Sequence, residues 1–153
     1  MGEGILWITS ILIMLAIALF LIFSNKEVPM VSKVIMPKEF VDFLNKKFES
    51  SNNEFAFCLK GKVENQVFQV LEIAEPKSST PIGEDSIIAK CPIGTIATIH
   101  NHPNKLCKLS SLDLYTFGKS KHPTLGVICG ANNIAFYNPS SLDNSISVEL
   151  GAK

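Results

Sequence analysis

The sequence contains no arginine. All 14 basic residues are lysines, and 14 acidic residues balance them, so the formal net charge is zero. Arginine is the usual bidentate reader of phosphate and guanine, and a basic excess is what neutralises a nucleic-acid backbone. Because both are absent, we expect no nucleic-acid partner.

Cysteine is also sparse. The four cysteines stand at Cys58, Cys91, Cys107 and Cys129, and no two of them form a C-x-x-C pair. This absence argues against a structural zinc knuckle. For a protein in a reducing cytoplasm, we therefore expect four free and mostly buried thiols.

The strongest compositional feature is one long apolar run. Residues 5–23 read ILWITSILIMLAIALFLIF and carry no charge. At ~1.5 Å per helical residue, the run approaches the ~30 Å hydrocarbon core of a bilayer. A cleaved signal peptide would have basic residues before a shorter apolar run. Here the one charged residue before the run is the acidic Glu3. We predict a transmembrane helix over residues 1–24 and a linker with some extended character over 25–36.

The charges beside this run predict its orientation. No lysine precedes the run, whereas Lys26, Lys33 and Lys38 follow it. The positive-inside rule then places the rest of the chain in the cytoplasm. We predict a single-pass membrane protein whose C-terminal domain, residues 37–153, is cytoplasmic.

The remaining sequence alternates between strand-like and helical segments. PKEFVDFLNKKFESS carries an apolar stripe at helical spacing, and SSLDLYTFGKS begins with a helix-capping pattern. FAFCLK and QVFQVLEI are β-rich runs separated by GKVEN, which predicts a hairpin. IGTIATIH, TLGVICG, NIAFYN and SISVEL are further strand-like runs. Strands interleaved with two helices predict a three-layer α/β or α+β domain. In the three-layer α/β form, a mixed sheet is flanked by helices.

Two histidines at the end of a predicted strand indicate a metal site. His100 and His102 are two residues apart and therefore share one face of the strand. The next predicted helix can return Asp113 to the same point. Two imidazoles and one carboxylate form a three-ligand zinc site of the catalytic type, with a fourth position left for water. Ser110-x-x-Asp113 is equally a plain capping box, and the two interpretations are compatible.

The combined pattern H-x-H-x7-S-x2-D resembles the signature of the JAMM (MPN+) metallopeptidases, which also have an upstream glutamate. PIGTIATIHNHP and NEFAFCLKGK are similar to segments of small archaeal-type JAMM proteins, and the resemblance spans residues 37–150. It implies an MPN/cytidine-deaminase-like fold and a Zn²⁺ ion held by His100, His102 and Asp113.

The resemblance also implies roles for two further residues. Glu54, directly before the FAFCLK strand, would be the general acid and base without binding the metal, with Glu64 and Glu72 as alternatives. Ser110 would donate a hydrogen bond to the developing oxyanion. Some small relatives have cysteines at the places of Cys107 and Cys129, so these two are expected either to form a disulfide or to remain free thiols.

The implied activity is hydrolysis of the bond after the C-terminal Gly-Gly of a ubiquitin-like modifier or sulfur-carrier protein. Two features depart from the usual pattern. The HNHP form, with Asn101, is similar to the RadC relatives, and Leu109 stands where proline is common. The alternatives are therefore a RadC-like protein of unknown substrate and a membrane-tethered, non-catalytic MPN interaction module.

Overall fold

The structure is a computed structural model that describes residues 11–19, 28–81, 87–102, 107–130, 132–138 and 141–151. Residues 11–19 form the first helix, α1. The predicted membrane helix extends past α1 in both directions, into residues outside the described ranges. Within those ranges, no helix combines the length and apolar character needed to cross a membrane.

The elements after α1 include the two helices and the six strands predicted from the sequence, together with three short strands that were not predicted, at residues 33–37, 78–81 and 87–90. The described ranges contain helices α2 (Lys38–Ser50) and α3 (Ser111–Lys119). Their strands are β1 (Lys33–Pro37), β2 (Ala56–Glu64), β3 (Val67–Ala74), β4 (Ser78–Pro81), β5 (Ile87–Lys90), β6 (Thr95–Asn101), β7 (Thr124–Gly130), β8 (Asn133–Asn138) and β9 (Ser141–Gly151).

Seven of these strands close into a barrel in the order β1-β3-β2-β6-β7-β8-β9, and β9 pairs with β1. The β1 strand is parallel to both of its neighbours, and β6 is parallel to β7, whereas the other pairs in the barrel are antiparallel. The β4 and β5 strands form a separate two-stranded sheet. The predicted mixed α/β class is confirmed, and the sheet closes on itself instead of remaining a flat middle layer.

The predicted hairpin of β2 and β3 has a shorter turn than the sequence suggested. GKVEN continues β2 as far as Glu64, and the turn consists of Asn65 and Gln66, both with positive φ (50° and 64°). Two positive φ angles are typical of the type I′ turn, whose twist matches that of the flanking strands. Gly61 lies at a bulge in β2, where a Cβ atom would stand 1.9 Å from the carbonyl oxygen of Gln69.

The main apolar core lies between the barrel strands and α2. It includes fully buried side chains from β1, α2, β2, β3, β6 and β8, among them Val34, Leu44, Leu59, Phe68, Ile99 and Phe136. Burying one such side chain contributes roughly 1.5–3 kcal/mol to folding. The β1 strand, which lies in the segment predicted as a linker, contributes Val34 and Met36 to this core.

The four cysteines form two disulfides, Cys58–Cys91 and Cys107–Cys129, with Cα–Cα distances of 5.7 and 5.0 Å. The prediction of four free thiols is therefore wrong, and the bridged alternative for Cys107 and Cys129 is confirmed. The first disulfide ties the residue after β5 to β2. The second ties the segment before α3 to β7.

Candidate metal centre

The two histidines are placed by β6, an interior strand of the barrel. His100 lies opposite Ala56 of β2 and Val127 of β7. His102 directly follows β6, and its backbone N–H donates to the carbonyl of Ile128. Both side chains are buried, and their Nε2 atoms lie 3.0 Å apart. The two imidazoles therefore meet at one point, as their spacing predicts.

The first turn of α3 brings Asp113 to the same point. Ser110 is the N-cap, and its hydroxyl accepts a hydrogen bond from the N–H of Asp113. In return, the backbone N–H and the hydroxyl of Ser110 donate to Oδ2 of Asp113 at 2.7 and 2.6 Å. The capping box thus fixes the carboxylate so that Oδ1 lies 3.1 Å from Nε2 of His100 and Oδ2 lies 3.2 Å from Nε2 of His102.

These three side chains fit a zinc ion in number, chemistry and spacing. The two Nε2 atoms lie 3.0 Å apart, and those of His100 and His102 lie 3.1 and 3.2 Å from the two different carboxylate oxygens of Asp113. In a tetrahedral site with bonds of about 2.0–2.1 Å, neighbouring ligand atoms are about 3.3–3.4 Å apart. Imidazole nitrogen and carboxylate oxygen are both common zinc ligands.

A second carboxylate lies close to the same imidazoles. Glu54, two residues before β2, forms a group with His100 and His102 whose possible ligand atoms all lie within 4.8 Å of one another. Its Oε2 atom is buried, and no hydrogen-bond partner for it lies in the described part of the chain. Burial raises the pKa of Glu54 above its ordinary value.

Asp113 has the opposite electrostatic setting. Burial raises its pKa, but hydrogen bonds with His100 and His102, together with that from Ser110, outweigh this and hold the pKa far below its ordinary value. A carboxylate that accepts several hydrogen bonds stays ionised, which suits a metal ligand.

The alternative glutamates lie elsewhere. Glu64 and Glu72 are exposed, and they form surface ion pairs with Lys62 at 3.4 Å and Lys60 at 2.7 Å. Of the three candidate glutamates, Glu54 is the one that the structure groups with the histidine pair.

A small cleft of about 100 Å³ opens beside His100 and Asp113. Strand β5 and helix α3 supply half of its lining, including Ile87, Ala89 and Phe117, and strand β7 adds Leu125. The cleft is therefore narrow and largely apolar next to the candidate metal ligands.

The cleft also contains His122, which the sequence analysis did not single out. Its Nδ1 atom lies 3.1 Å from the hydroxyl of Thr98, and burial lowers its pKa. Two signals could have drawn attention to His122. The chain has only three histidines, and His122 lies just before a strand that runs parallel to β6.

Comparison with known proteins identifies the fold. No protein-family model matches the chain, and no curated protein matches its sequence. One similar solved structure is that of JAMM, described as a metalloprotease-like zinc site in the proteasome and signalosome; the likeness has a TM-score of 0.54 at 16% identity and covers 81% of this chain and 100% of that one.

Two further structures are comparably similar. The JAB1/MPN domain protein AF2198 from Archaeoglobus fulgidus gives a TM-score of 0.50 at 20% identity, over 76% of this chain and 97% of that one. The protein DSY2949 from Desulfitobacterium hafniense gives 0.51 at 11% identity, over 79% and 94%. The chain thus has the mixed α/β fold of JAMM/MPN domain proteins, and its described residues include a possible metal-binding group of Glu54, His100 and His102.

Proposed function

We propose that this chain is a zinc-dependent peptidase that hydrolyses the bond after the C-terminal Gly-Gly of a ubiquitin-like modifier or sulfur-carrier protein. The observation that carries the proposal is the convergence of His100, His102 and Asp113 beside the buried Oε2 atom of Glu54. Three ligands and a separate acid/base group are the parts that a hydrolytic zinc site requires.

In this proposal His100, His102 and Asp113 hold the ion. When bound, Zn²⁺ polarises a carbonyl group and makes water more acidic near neutral pH. The three ligands come from a barrel strand, the residue after it and a capped helix, so their positions are set by secondary structure. Such rigid placement keeps a site in its reactive geometry.

Glu54 is the proposed general acid and base. Its raised pKa lets the carboxyl group take up a proton from the attacking water and release it to the leaving amine. The Oε2 atom is a suitable place for this proton, because it has no partner in the described part of the chain that would compete for it.

Ser110 is the proposed oxyanion donor. Its hydroxyl and its backbone N–H both donate to Oδ2 of Asp113. If the hydroxyl turns towards substrate, the backbone N–H still holds Asp113 in place. The hydroxyl can therefore donate to the developing oxyanion without releasing the ligand.

The narrow cleft supports a substrate with an extended, glycine-ending tail. Among the described strands, β5 pairs only with β4, and β5 residues line the cleft. An extended peptide can add to such a strand through backbone hydrogen bonds. Glycines next to the scissile bond would let the peptide backbone approach the cleft walls without a Cβ clash.

The test uses the full-length protein, loaded with zinc, and a modifier fused through Gly-Gly to a reporter. A matched fusion carries Val-Val, and the Glu54→Gln variant controls for contaminating peptidases. We expect cleavage of the Gly-Gly fusion by the wild-type protein alone. Equal cleavage of both fusions would contradict tail specificity.

The other outcomes of this test separate the alternatives. A zinc-loaded protein that cleaves neither fusion would support a RadC-like protein with a different substrate. A protein that takes up no zinc would support a non-catalytic MPN interaction module tethered to the membrane.

We also propose that the N-terminal apolar run anchors the protein in a membrane. Support comes from α1, whose apolar side chains, such as Met14 at 70%, are largely exposed. The lysines after the run favour a cytoplasmic domain. The two disulfides favour an oxidising compartment instead, since cytoplasmic proteins outside hyperthermophiles rarely contain them. Protease treatment of sealed, right-side-out vesicles tests this orientation, since digestion of the domain from outside would reverse it.

A further inference from the structure

Asn101 stands between the two histidines and has 1% of its surface exposed. A buried amide must form hydrogen bonds to offset its desolvation. The Oδ1 atom of Asn101 accepts from the N–H of Phe55 at 2.6 Å, and its Nδ2 donates to the carbonyl of Asn53 at 3.3 Å. The backbone N–H of Asn101 also donates to the carbonyl of Phe55.

Both partners of this side chain are the chain neighbours of Glu54. The first residue of β2, Ala56, pairs with His100, so Glu54 lies beyond the regular pairing of β2 with β6. At this place the side-chain amide of Asn101 adds two hydrogen bonds to the single backbone bond between Asn101 and Phe55. Side chains alternate along a strand, so Asn101 points to the face opposite that of His100 and cannot bind the same metal.

We propose that Asn101 is a positioning residue, which holds Glu54 at a fixed place relative to His100 and His102. The inference rests on the proposed function in assigning Glu54 the proton transfer. The position requires a donor and an acceptor on two separate atoms of one short side chain. The asparagine amide offers both, whereas serine and threonine have a single hydroxyl oxygen. Aspartate lacks the donor, and apolar residues lack both groups.

The structure provides a matched control. Asn138 is likewise buried, and its side chain bridges the backbone N–H and carbonyl of Val31. It makes no hydrogen bond to the candidate site within the described residues. Asn138→Ala thus deletes the same kind of bridge away from Glu54 and reports the general effect of a lost buried amide.

The primary readout is the position of Glu54, which does not depend on activity. Crystal structures of the zinc-loaded full-length protein and of its Asn101→Ala variant should differ by about 1 Å or more at the Glu54 carboxylate, with the histidines unmoved. If Asn101→Ala does not fold, Asn101→Leu replaces it, because leucine fills most of the space of the amide but has no hydrogen-bonding group. An unchanged Glu54 in the folded variant would overturn the inference, whatever the activity.

The kinetic readout uses the Gly-Gly fusion. A misplacement of about 1 Å costs on the order of 10²-fold in rate, so Asn101→Ala should lower kcat by ~10–100-fold with KM and zinc content unchanged, unlike Asn138→Ala. The double variant Asn101→Ala with Glu54→Gln should be no slower than Glu54→Gln alone, because Asn101 acts through Glu54. Additive losses, or loss of zinc, would overturn the inference. An inactive wild-type protein would instead refute the proposed function and leave the crystallographic comparison to decide.

Discussion

The candidate metal centre has two sides, and each contributes one carboxylate. The helix side consists of Ser110 and Asp113 at the start of α3, and the strand side consists of Glu54, His100 and His102 at the ends of β2 and β6. On the helix side, Asp113 accepts two hydrogen bonds from Ser110 and lies against both imidazoles, so its pKa is held low. On the strand side, one oxygen of Glu54 is buried without a partner among the described residues, and the pKa is raised.

In the proposed function, this contrast would suit two carboxyl groups to two different tasks. Hydrogen bonds to the charged form favour ionisation, whereas burial disfavours it. A metal ligand must remain ionised, and an acid/base group must exchange its proton. These settings support the proposed roles, with Asp113 as the ligand and Glu54 as the acid/base group, although both lie near the same imidazoles.

The largest expected effect comes from breaking the helix side. Asp113→Ala should reduce bound zinc from about one per chain to near zero and abolish hydrolysis, because two imidazoles alone hold zinc weakly. Metal analysis of full-length protein purified without chelator measures this, and Asp42→Ala, at an exposed ion pair, is the control. If Asp113→Ala retained one zinc, Glu54 would be the third ligand, and the contrast between the two sides would fail.

Glu54→Gln should break the strand side without removing the metal. Glutamine preserves the shape but cannot take the proton, so kcat should fall by ~10²–10⁴-fold, the usual contribution of a general acid–base group. Zinc content should stay at the wild-type value. Glu64→Gln, at an exposed position in β2, should leave both quantities unchanged. Loss of zinc from Glu54→Gln would identify Glu54 as a ligand.

Ser110 tests whether the helix side also contributes to catalysis. Ser110→Ala should lower kcat by ~10²–10³-fold, the cost of losing one oxyanion donor, and lower stability by about 1 kcal/mol through loss of the N-cap. Ser110→Asn retains a capping side chain without the hydroxyl, so it should restore stability but not the rate. Thermal denaturation and kinetics of both variants measure the two effects. Full activity of Ser110→Asn would contradict the oxyanion role.

Loss of either disulfide should have the smallest effect on turnover. The two disulfides should differ in what they affect, one acting on zinc binding and the other on substrate binding. They span 22 and 33 residues, and each should contribute about 3–4 kcal/mol to stability by restricting the unfolded chain. Replacing Cys107 and Cys129 with serine loosens the segment before α3 and should weaken zinc binding. Replacing Cys58 and Cys91 loosens the end of β5 and should raise KM for the Gly-Gly fusion.

Denaturant titration, zinc competition and kinetics of the two double serine variants test these differences. Adding a reducing agent should lower the stability of each variant further, because it breaks the one disulfide that the variant retains. If both variants changed zinc affinity and KM alike, the disulfides would act on overall stability alone.

The sequence by itself determined the features that depend on near neighbours in the chain. The strands β7 and β8, the helix α2 and the capping box of Ser110 with Asp113 follow from periodicity and from side chains three or four residues apart. His100, His102 and Asp113 also lie within one short segment, so strand alternation and one helix start were enough to predict that they meet. Glu54 was placed by resemblance, because nothing local to it indicates a distant site.

Only the tertiary structure decided the features that join distant parts of the chain. Closure of the barrel requires β9 to pair with β1, and the Cys58–Cys91 disulfide requires the end of β5 to lie against β2. The bridge from Asn101 to the neighbours of Glu54 and the place of His122 in the cleft depend on the same packing. The physical reason is that strand register and the packing of elements against one another set these contacts, and a local pattern of side chains contains neither.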